Sequence, residues 1–501
     1  MPDFSISGVS RYYHYFSGAW CSFLHYLTGI EIFDVCYSLS WVGDLFLLIG
    51  GIYILFVEAS IKDKYLVIAF IAILLTTGMQ SSTLTFYINH LYATHFGFLP
   101  GYAMGLYTFV LFLYWYKDCK RKLSVLVLCI DIFIITLGLK SPCGCLPLVG
   151  IGIVCLAMLF GGRNRKDKVD GLIAGLFYFF TFISIYRLLF TYPNNSHIYD
   201  VAILEKRVSF SPTDSLFYSG YFKELVINLT NVFENKYVGY IVSYAMYLFL
   251  SNFVVGCFIL LALKICIQYK IKLRIENIAS LGIVICGYLM YTLMTQEGYS
   301  QVYFLFTLFP YGMFFALNVI VNCDEKCNSN RRYNILSFIA LSAILILGVY
   351  KTIEYYIPNC ASYGWKNLYN HYNASVNYPG STGNDVNKKE MEALRWLRDN
   401  SDENALLITN LSIINDRSFT TSCYTERQIY IEGGAYGAAS QELQNYRINL
   451  MKEYYTGSKA AAEVLTNEGV DYAVIFTSVE DYMEYSGKVI FENEAVIIIQ
   501  L

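Results

Sequence analysis

The chain has 501 residues, 56% of them hydrophobic and 15% charged, with a formal net charge of -3. Its apolar residues come in long blocks, the pattern of a polytopic membrane protein with one soluble part. The slightly acidic balance offers no basic surface to a nucleic acid. The fourteen cysteines form neither a disulfide framework nor a zinc site, since Cys143-x-Cys145 and Cys323-x3-Cys327 are closely spaced and lack histidine partners.

The stretch 1–34 is aromatic and has no basic segment followed by an apolar core of the signal-peptide kind. We read it as an outer juxtamembrane segment. Hydropathy and length then predict about ten membrane helices, over 35–57, 65–78, 101–115, 123–139, 146–160, 172–190, 238–263, 278–294, 302–321 and 335–357. The transmembrane bundle accordingly spans 35–357, a Tyr/Asn-rich linker 358–387, and a soluble α/β domain 388–501.

Basic residues fill the loop after every odd-numbered helix. These are Lys62 and Lys64; Lys117, Lys120, Arg121 and Lys122; Arg163, Arg165, Lys166 and Lys168; Lys264, Lys270, Lys272 and Arg274; and Lys326, Arg331 and Arg332. The opposite loops 81–100 and 296–300 hold no lysine or arginine. By the positive-inside rule the basic loops are cytoplasmic. This puts a multi-pass protein in the plasma (inner) membrane, with both 1–34 and the C-terminal domain outside. Residues 1–34 reach that side either by crossing with the first helix or because a further helix precedes them. The second is expected, which makes the chain part of a longer protein.

The outer loop 191–236 carries Asp200, Glu205, Lys206, Arg207 and Asp214 among aromatics. A loop of that length is expected to be a lid or an element lying on the membrane. In the soluble part, helices are predicted over 388–400, 441–455 and 459–468, strands over 405–409 and 472–476, and a hairpin of 489–491 with 495–501 around Asn493.

Lys140 stands out from this layout. It lies in the turn Leu139-Lys140-Ser141-Pro142, on the face where basic residues are scarce. Pro142 is suited to begin a helix whose free N–H groups favour an anion, so Lys140 is read as facing a lipid phosphate. A lysine snorkelling to the interface is the alternative. Asp131, inside the fourth helix, is read as an interior carboxylate on a proton path or as a neutral hydrogen-bonding group. All six histidines (His14, His25, His90, His95, His197 and His371) fall on the outer side. They leave a divalent metal open, although His90-x4-His95 lacks the spacing that aligns two ligands on one helix face.

Several stretches resemble bacterial integral-membrane glycosyltransferases of the GT-C superfamily. Arg11-Tyr12-Tyr13-His14-Tyr15-Phe16-Ser17 followed by Leu27-Thr28-Gly29-Ile30 resembles the end of their first outer loop. Lys140-Ser141-Pro142 is similar to their outer lysine turn, and Ser300-Gln301-Val302-Tyr303-Phe304 to the outer start of a late helix. Glu392-Ala393-Leu394-Arg395-Trp396-Leu397, Arg427-Gln428-Ile429-Tyr430-Ile431-Glu432-Gly433 and Gly469-Val470-Asp471-Tyr472 resemble their extracytoplasmic domain.

The resemblance implies transfer of a sugar from a polyprenyl-phosphate carrier to an envelope glycan, lipid or protein acceptor on the outer face. It implies a catalytic acid early in the first outer loop, soon after a first membrane helix. No position here matches that acid, and Asp3, the nearest, is not given its role. The catalytic residue is therefore unassigned, and a truncated or inactive form is expected.

Such chemistry needs a base on the acceptor and positive charge for the departing phosphate. Lys140 and then Arg187 are the candidates for the phosphate, with snorkelling the alternative for Arg187. His14 sits within the family-like motif, and Glu297, Gln301 and Tyr303, beside Gln296, share one outer turn. These four are candidates for the sugar or the acceptor. Arg427, Tyr430 and Glu432 are expected to lean over the cavity, and Trp396 to belong to the core. No cofactor is required. Two other functions fit the same layout: a transporter or flippase of a lipid-linked or anionic substrate, and a non-catalytic membrane protein that binds lipid-linked glycan.

Overall fold

The structure, a computed structural model, describes residues 2–3, 6–10, 15–30, 35, 40–58, 78–80, 85–87, 98–118, 120–162, 164–190, 199–201, 253–296, 302–326, 375–376, 386–414, 420–432, 440–481 and 484–501, with 232, 238, 242 and 245 as isolated positions. A short hairpin of β1 (Pro2–Asp3) and β2 (Ile6–Ser10) comes first. Then follow α1 (Tyr15–Thr28), α2 (Ser40–Glu58) and the hairpin β3 (Gly78–Gln80) with β4 (Thr85–Tyr87). The bundle continues with α3 (Phe98–Lys117), α4 (Leu123–Leu139), α5 (Ser141–Gly161) and α6 (Arg165–Phe190). After β5 (Tyr199–Val201) it is completed by α7 (Phe253–Tyr269), α8 (Ile275–Leu293), β6 (Met294–Gln296), α9 (Val302–Thr307) and α10 (Phe309–Lys326).

Among the described residues, Ser141–Gly161, Arg165–Leu188 and Tyr303–Ile320 are long and apolar enough to cross a membrane. Leu123–Leu139, Val255–Tyr269, Ile275–Tyr291 and Phe46–Glu58 are apolar but shorter. Residues 65–77 and 335–357, and most of 238–252, where further helices are expected, lie outside the described residues.

Charged residues gather at one end of the bundle. There Lys117, closing α3, lies 3.1 Å from Glu58 at the end of α2 and 3.9 Å from Glu276 at the start of α8. Arg121, entering α4, bonds Asp167 at 2.6 Å and Asp170 at 3.2 Å in the first turns of α6. Five helices thus meet at their basic-loop ends. Between the ends the interior is close-packed aromatic surface, with Phe109 edge-on to Tyr311 and Tyr178 set against both Phe112 and Phe133.

At the opposite end α4 turns directly into α5. Lys140 is extended (φ -157, ψ 113) and is the single residue between the two helices. The helix after the turn was expected from 146 and instead starts at Ser141. Pro142 fits its first turn. Pro147 removes the N–H that would pair with the Cys143 carbonyl, and Gly105 packs against that oxygen, where a Cβ would come within 2.6 Å.

The C-terminal unit begins at β8 (Val386–Asn387), paired with β7 (Ser375–Val376). It comprises α11 (Lys388–Asn400), β9 (Leu406–Thr409), α12 (Leu411–Ile414), α13 (Thr420–Thr425), β10 (Gln428–Ile429), α14 (Gln441–Tyr455), α15 (Lys459–Asn467), β11 (Tyr472–Phe476), β12 (Lys488–Glu492) and β13 (Val496–Gln500). The five-stranded sheet has the order β10-β9-β11-β13-β12, with β10, β9 and β11 mutually parallel and β13 antiparallel to both its neighbours.

Strand alternation builds two cores. Leu407, Val474, Phe476, Val496 and Ile498 pack under Met391, Leu394 and Leu397 of α11. Ile408, Ala473, Ile475, Ile497 and Ile499 pack against α14 and α15. Ser440 and Ser458 cap α14 and α15 by accepting from Leu443 N and Ala461 N. The β12–β13 turn is held by the Asn493 side chain, which accepts from the amides of Ala495 and Val496.

Candidate functional site: the lysine turn

Lys140 is 1% exposed although it sits in a turn. Four elements enclose it. Gly101, in the first turn of α3, comes so close that a Cβ there would lie 2.9 Å from the Lys140 Cβ. Phe16 of α1 covers Gly138 at the end of α4. Tyr303, opening α9, presents its ring face to the ammonium at 3.9 Å. Thr307, one turn further on, donates to the Tyr303 carbonyl at 2.8 Å and lies 3.5 Å from Cys143 Sγ, tying α9 to α5.

The electrostatics follow from the turn. The last carbonyls of α4 favour the ammonium, whereas the first N–H groups of α5 add positive potential of their own. Ammonium and helix start together favour an anion at this point. Because the cation is buried, a phosphate that reached it would be held in a medium of low dielectric.

Of the residues singled out by sequence, Tyr303 is brought to Lys140. Arg187 is in the last turn of α6 with its side chain exposed, whereas Lys140 is buried. His14, Glu297 and Gln301 lie outside the described residues, as do His90, His95, His197 and His371. Gln296 ends β6 and pairs with Tyr199 of β5, so part of the long loop lies against the end of α8. His25 Nδ1 is 2.5 Å from the Ile30 carbonyl, in the turn closing α1. No group of three or more metal-binding side chains occurs among the described residues.

Two expectations need correction. Asp131 does not face the bundle interior: its side chain is exposed, because the inward face of α4 is taken by Leu126, Cys129, Phe133 and Leu137. Arg427, Tyr430 and Glu432 do not lean over a cavity. Arg427 donates to the Arg398 and Ser401 carbonyls and to Ser401 Oγ, Tyr430 donates to Glu468, and Glu432 accepts from the amides of Thr421 and Ser422. All three hold the α/β unit together. Trp396 packs on Phe491 with ring centroids 4.9 Å apart, as a core residue would.

Sequence reasoning missed Asp44 of α2, which is 1% exposed and whose Oδ1 has no hydrogen-bond partner among the described residues. A lone acid in an otherwise apolar run was the available signal. Two turns further along α2, Gly51 meets Ala103 and Leu106 of α3, while Gly101 of α3 meets Lys140. Those α3 positions lie on roughly opposite faces of the helix.

No family model matches the sequence, and no curated protein matches it. Solved structures do. The Archaeoglobus fulgidus oligosaccharyltransferase tethered through a disulfide to an acceptor peptide containing the NVT sequon is similar over 96% of this chain and 63% of its own, at 12% identity and a TM-score of 0.51. The apo form of that enzyme gives 14% identity and 0.49 over 94% of this chain and 63% of its own. The archaeal enzyme from the same organism with an inhibitory peptide and a dolichol-phosphate gives 13% identity and 0.46 over 94% and 63%. The chain thus spans less than two thirds of the length of these structures.

The likeness is one of fold. At 12% identity, the arrangement of this chain is similar to that of an archaeal oligosaccharyltransferase, whereas the sequence resemblance points to bacterial proteins.

Proposed function

We propose that this chain is a membrane glycosyltransferase of the GT-C kind, or a shortened form of one. It takes a sugar from a polyprenyl-phosphate carrier and passes it to an envelope acceptor on the outer face of the plasma membrane. The observation that carries this reading is the burial of Lys140 at a helix start, over the Tyr303 ring, where a lipid phosphate can be bound away from water. In this reading the ammonium holds the carrier's phosphate and stabilises the charge that develops on it as the sugar leaves.

The basic-loop end of the bundle, with Lys117 and Arg121, is cytoplasmic in this reading, and the lysine turn is outside. The C-terminal unit stands on the same side as the turn. In support, β2 runs beside the edge strand β10, and α1, which follows β2, packs on the end of α4 next to Lys140. Arg187 belongs to the same outer surface as a second phosphate contact. His14, Glu297 and Gln301 are the proposed contacts for sugar or acceptor. The base that deprotonates the acceptor is not assigned to any residue of this chain.

The test is sugar transfer in proteoliposomes, using a radiolabelled sugar on polyprenyl phosphate and a mixed set of peptide and lipid acceptors. Transfer by the wild type that falls at least a hundredfold in Lys140→Ala supports the reading, since a removed oxyanion contact typically costs about that much. Carrier binding that depends on Lys140, without any transfer, assigns the chain to non-catalytic binding of lipid-linked glycan. The absence of both binding and transfer overturns the proposal.

A further inference from the structure

Arg121 locks two basic turns of the chain against each other. It enters α4 in left-handed backbone (φ 44), a conformation unfavourable for a residue with a side chain. From there it donates to the Tyr116 carbonyl at 3.2 Å and to Asp167 and Asp170 of α6 at 2.6 and 3.2 Å. Asn164 caps α6 by accepting from Asp167 N at 2.7 Å. The turn between α3 and α4 and the first turn of α6 are therefore held side by side.

This arrangement uses up the acids of the corner. Asp167 and Asp170 belong to Arg121, and Asp118 accepts the amide of Lys120 at 3.0 Å. Lys120, Lys122, Arg165 and Lys168 are left exposed around them, and among the described residues none of the four takes part in an ion pair. The chain's remaining segments at this end, 59–64 and 321–334, carry more cations than acids, so they do not neutralise the corner. Four like charges held together in this way repel one another until an anion joins them.

The neighbours of these cations decide which anion fits. Leu123 follows Lys122 directly and is 62% exposed, with Val127 one turn further in; Val169 follows Lys168 and is 43% exposed, with Leu172 beside it. A soluble polyanion would meet the charges and leave these apolar groups in place, whereas a phospholipid meets both. We propose that this corner is a binding site for an anionic phospholipid, its phosphate between the two basic turns and its chains against the apolar groups just inside. In the orientation proposed above, the lipid belongs to the cytoplasmic leaflet. The site is at the opposite end of the bundle from the lysine turn and does not rest on the activity proposed there.

The experiment titrates the full chain in maltoside micelles with dioleoylphosphatidylglycerol or dioleoylphosphatidylcholine, each carrying a dye on one acyl chain. Energy transfer from a fluorescent amino acid at position 127 reads binding. Each lysine or arginine near an anionic lipid contributes about fivefold, so phosphatidylglycerol should bind about thirtyfold or more tightly than phosphatidylcholine. The double variant Lys122→Gln/Lys168→Gln should weaken phosphatidylglycerol by about thirtyfold and leave phosphatidylcholine unchanged, whereas Lys270→Gln/Lys272→Gln, the same charge loss on the turn between α7 and α8, should cost less than about threefold.

Equal affinity for the two lipids overturns the proposal. Equal losses in the two double variants overturn it too, because the charge of the whole surface is then responsible and not this corner. Displacement of phosphatidylglycerol by excess inorganic phosphate or polyglutamate at constant ionic strength also overturns it, since a soluble anion is then the occupant.

Discussion

The ammonium of Lys140 lies 3.9 Å from the centre of the Tyr303 ring, although 163 residues separate the two in sequence. The ring helps hold the cation at the start of α5. Truncation to Tyr303→Leu removes a contact worth about 0.5–2 kcal/mol. Affinity for polyprenyl phosphate should therefore fall about twofold to thirtyfold, while Tyr303→Phe, which keeps the ring, should stay close to wild type. Equilibrium binding in nanodiscs checks both variants.

At the other end of the bundle Arg121 bridges two acids of α6 while entering α4. Replacing it by alanine leaves Asp167 and Asp170 facing each other without the shared cation. The expected loss is about 1–2 kcal/mol, more than an isolated surface pair gives, because one guanidinium serves two carboxylates in a part-buried position. A lower melting temperature of Arg121→Ala in detergent, with polyprenyl-phosphate affinity unchanged, is the expected outcome.

Arg427 closes the gap between the end of α11 and β10 by donating to two backbone carbonyls and a hydroxyl on residues 398 and 401. Arg427→Ala leaves these acceptors unpaired in a part-buried position and should destabilise the C-terminal unit by about 3 kcal/mol or more. Faster hydrogen exchange of the β9 and β11 amides reads this out. A residue that merely leaned over a cavity would leave that exchange unchanged.

How far the sequence could be read differs from element to element. Leu123–Leu139, Lys388–Asn400, Gln441–Tyr455 and Tyr472–Phe476 emerge at the residues expected from hydropathy and periodicity, because each is bounded by a local signal such as a charge, a cap or a glycine. β10 was missed: it has two residues, and its existence depends on pairing with Leu406 and Leu407 some twenty residues earlier. The role of Arg427 was misread for a similar reason, since its partners are backbone carbonyls that no side-chain pattern announces. α4 is apolar on every side, so no periodicity showed which way Asp131 would point. Lys140 was legible as an anomaly of charge, whereas its contact with Tyr303 follows only from how α9 packs.

Glu432 gives a pH dependence with a definite sign. Burial raises its carboxyl above the usual glutamate value, against the opposing pull of the Thr421 and Ser422 amides that it accepts. The native state therefore binds this proton more tightly than the unfolded chain does. The stabilisation is fully present below the ordinary glutamate pKa and is lost as the pH rises through the raised native value. Thermal unfolding of the C-terminal unit should shift to lower temperature across that interval, and Glu432→Gln should flatten the slope.

The most direct test of the lysine turn is the equilibrium affinity of the full chain for polyprenyl phosphate in nanodiscs, measured beside Lys140→Ala and Lys140→Arg. Saturable binding that weakens at least thirtyfold in Lys140→Ala, and is partly kept in Lys140→Arg, is the predicted result. Wild-type affinity in Lys140→Ala would contradict the assignment of this buried cation to a lipid phosphate.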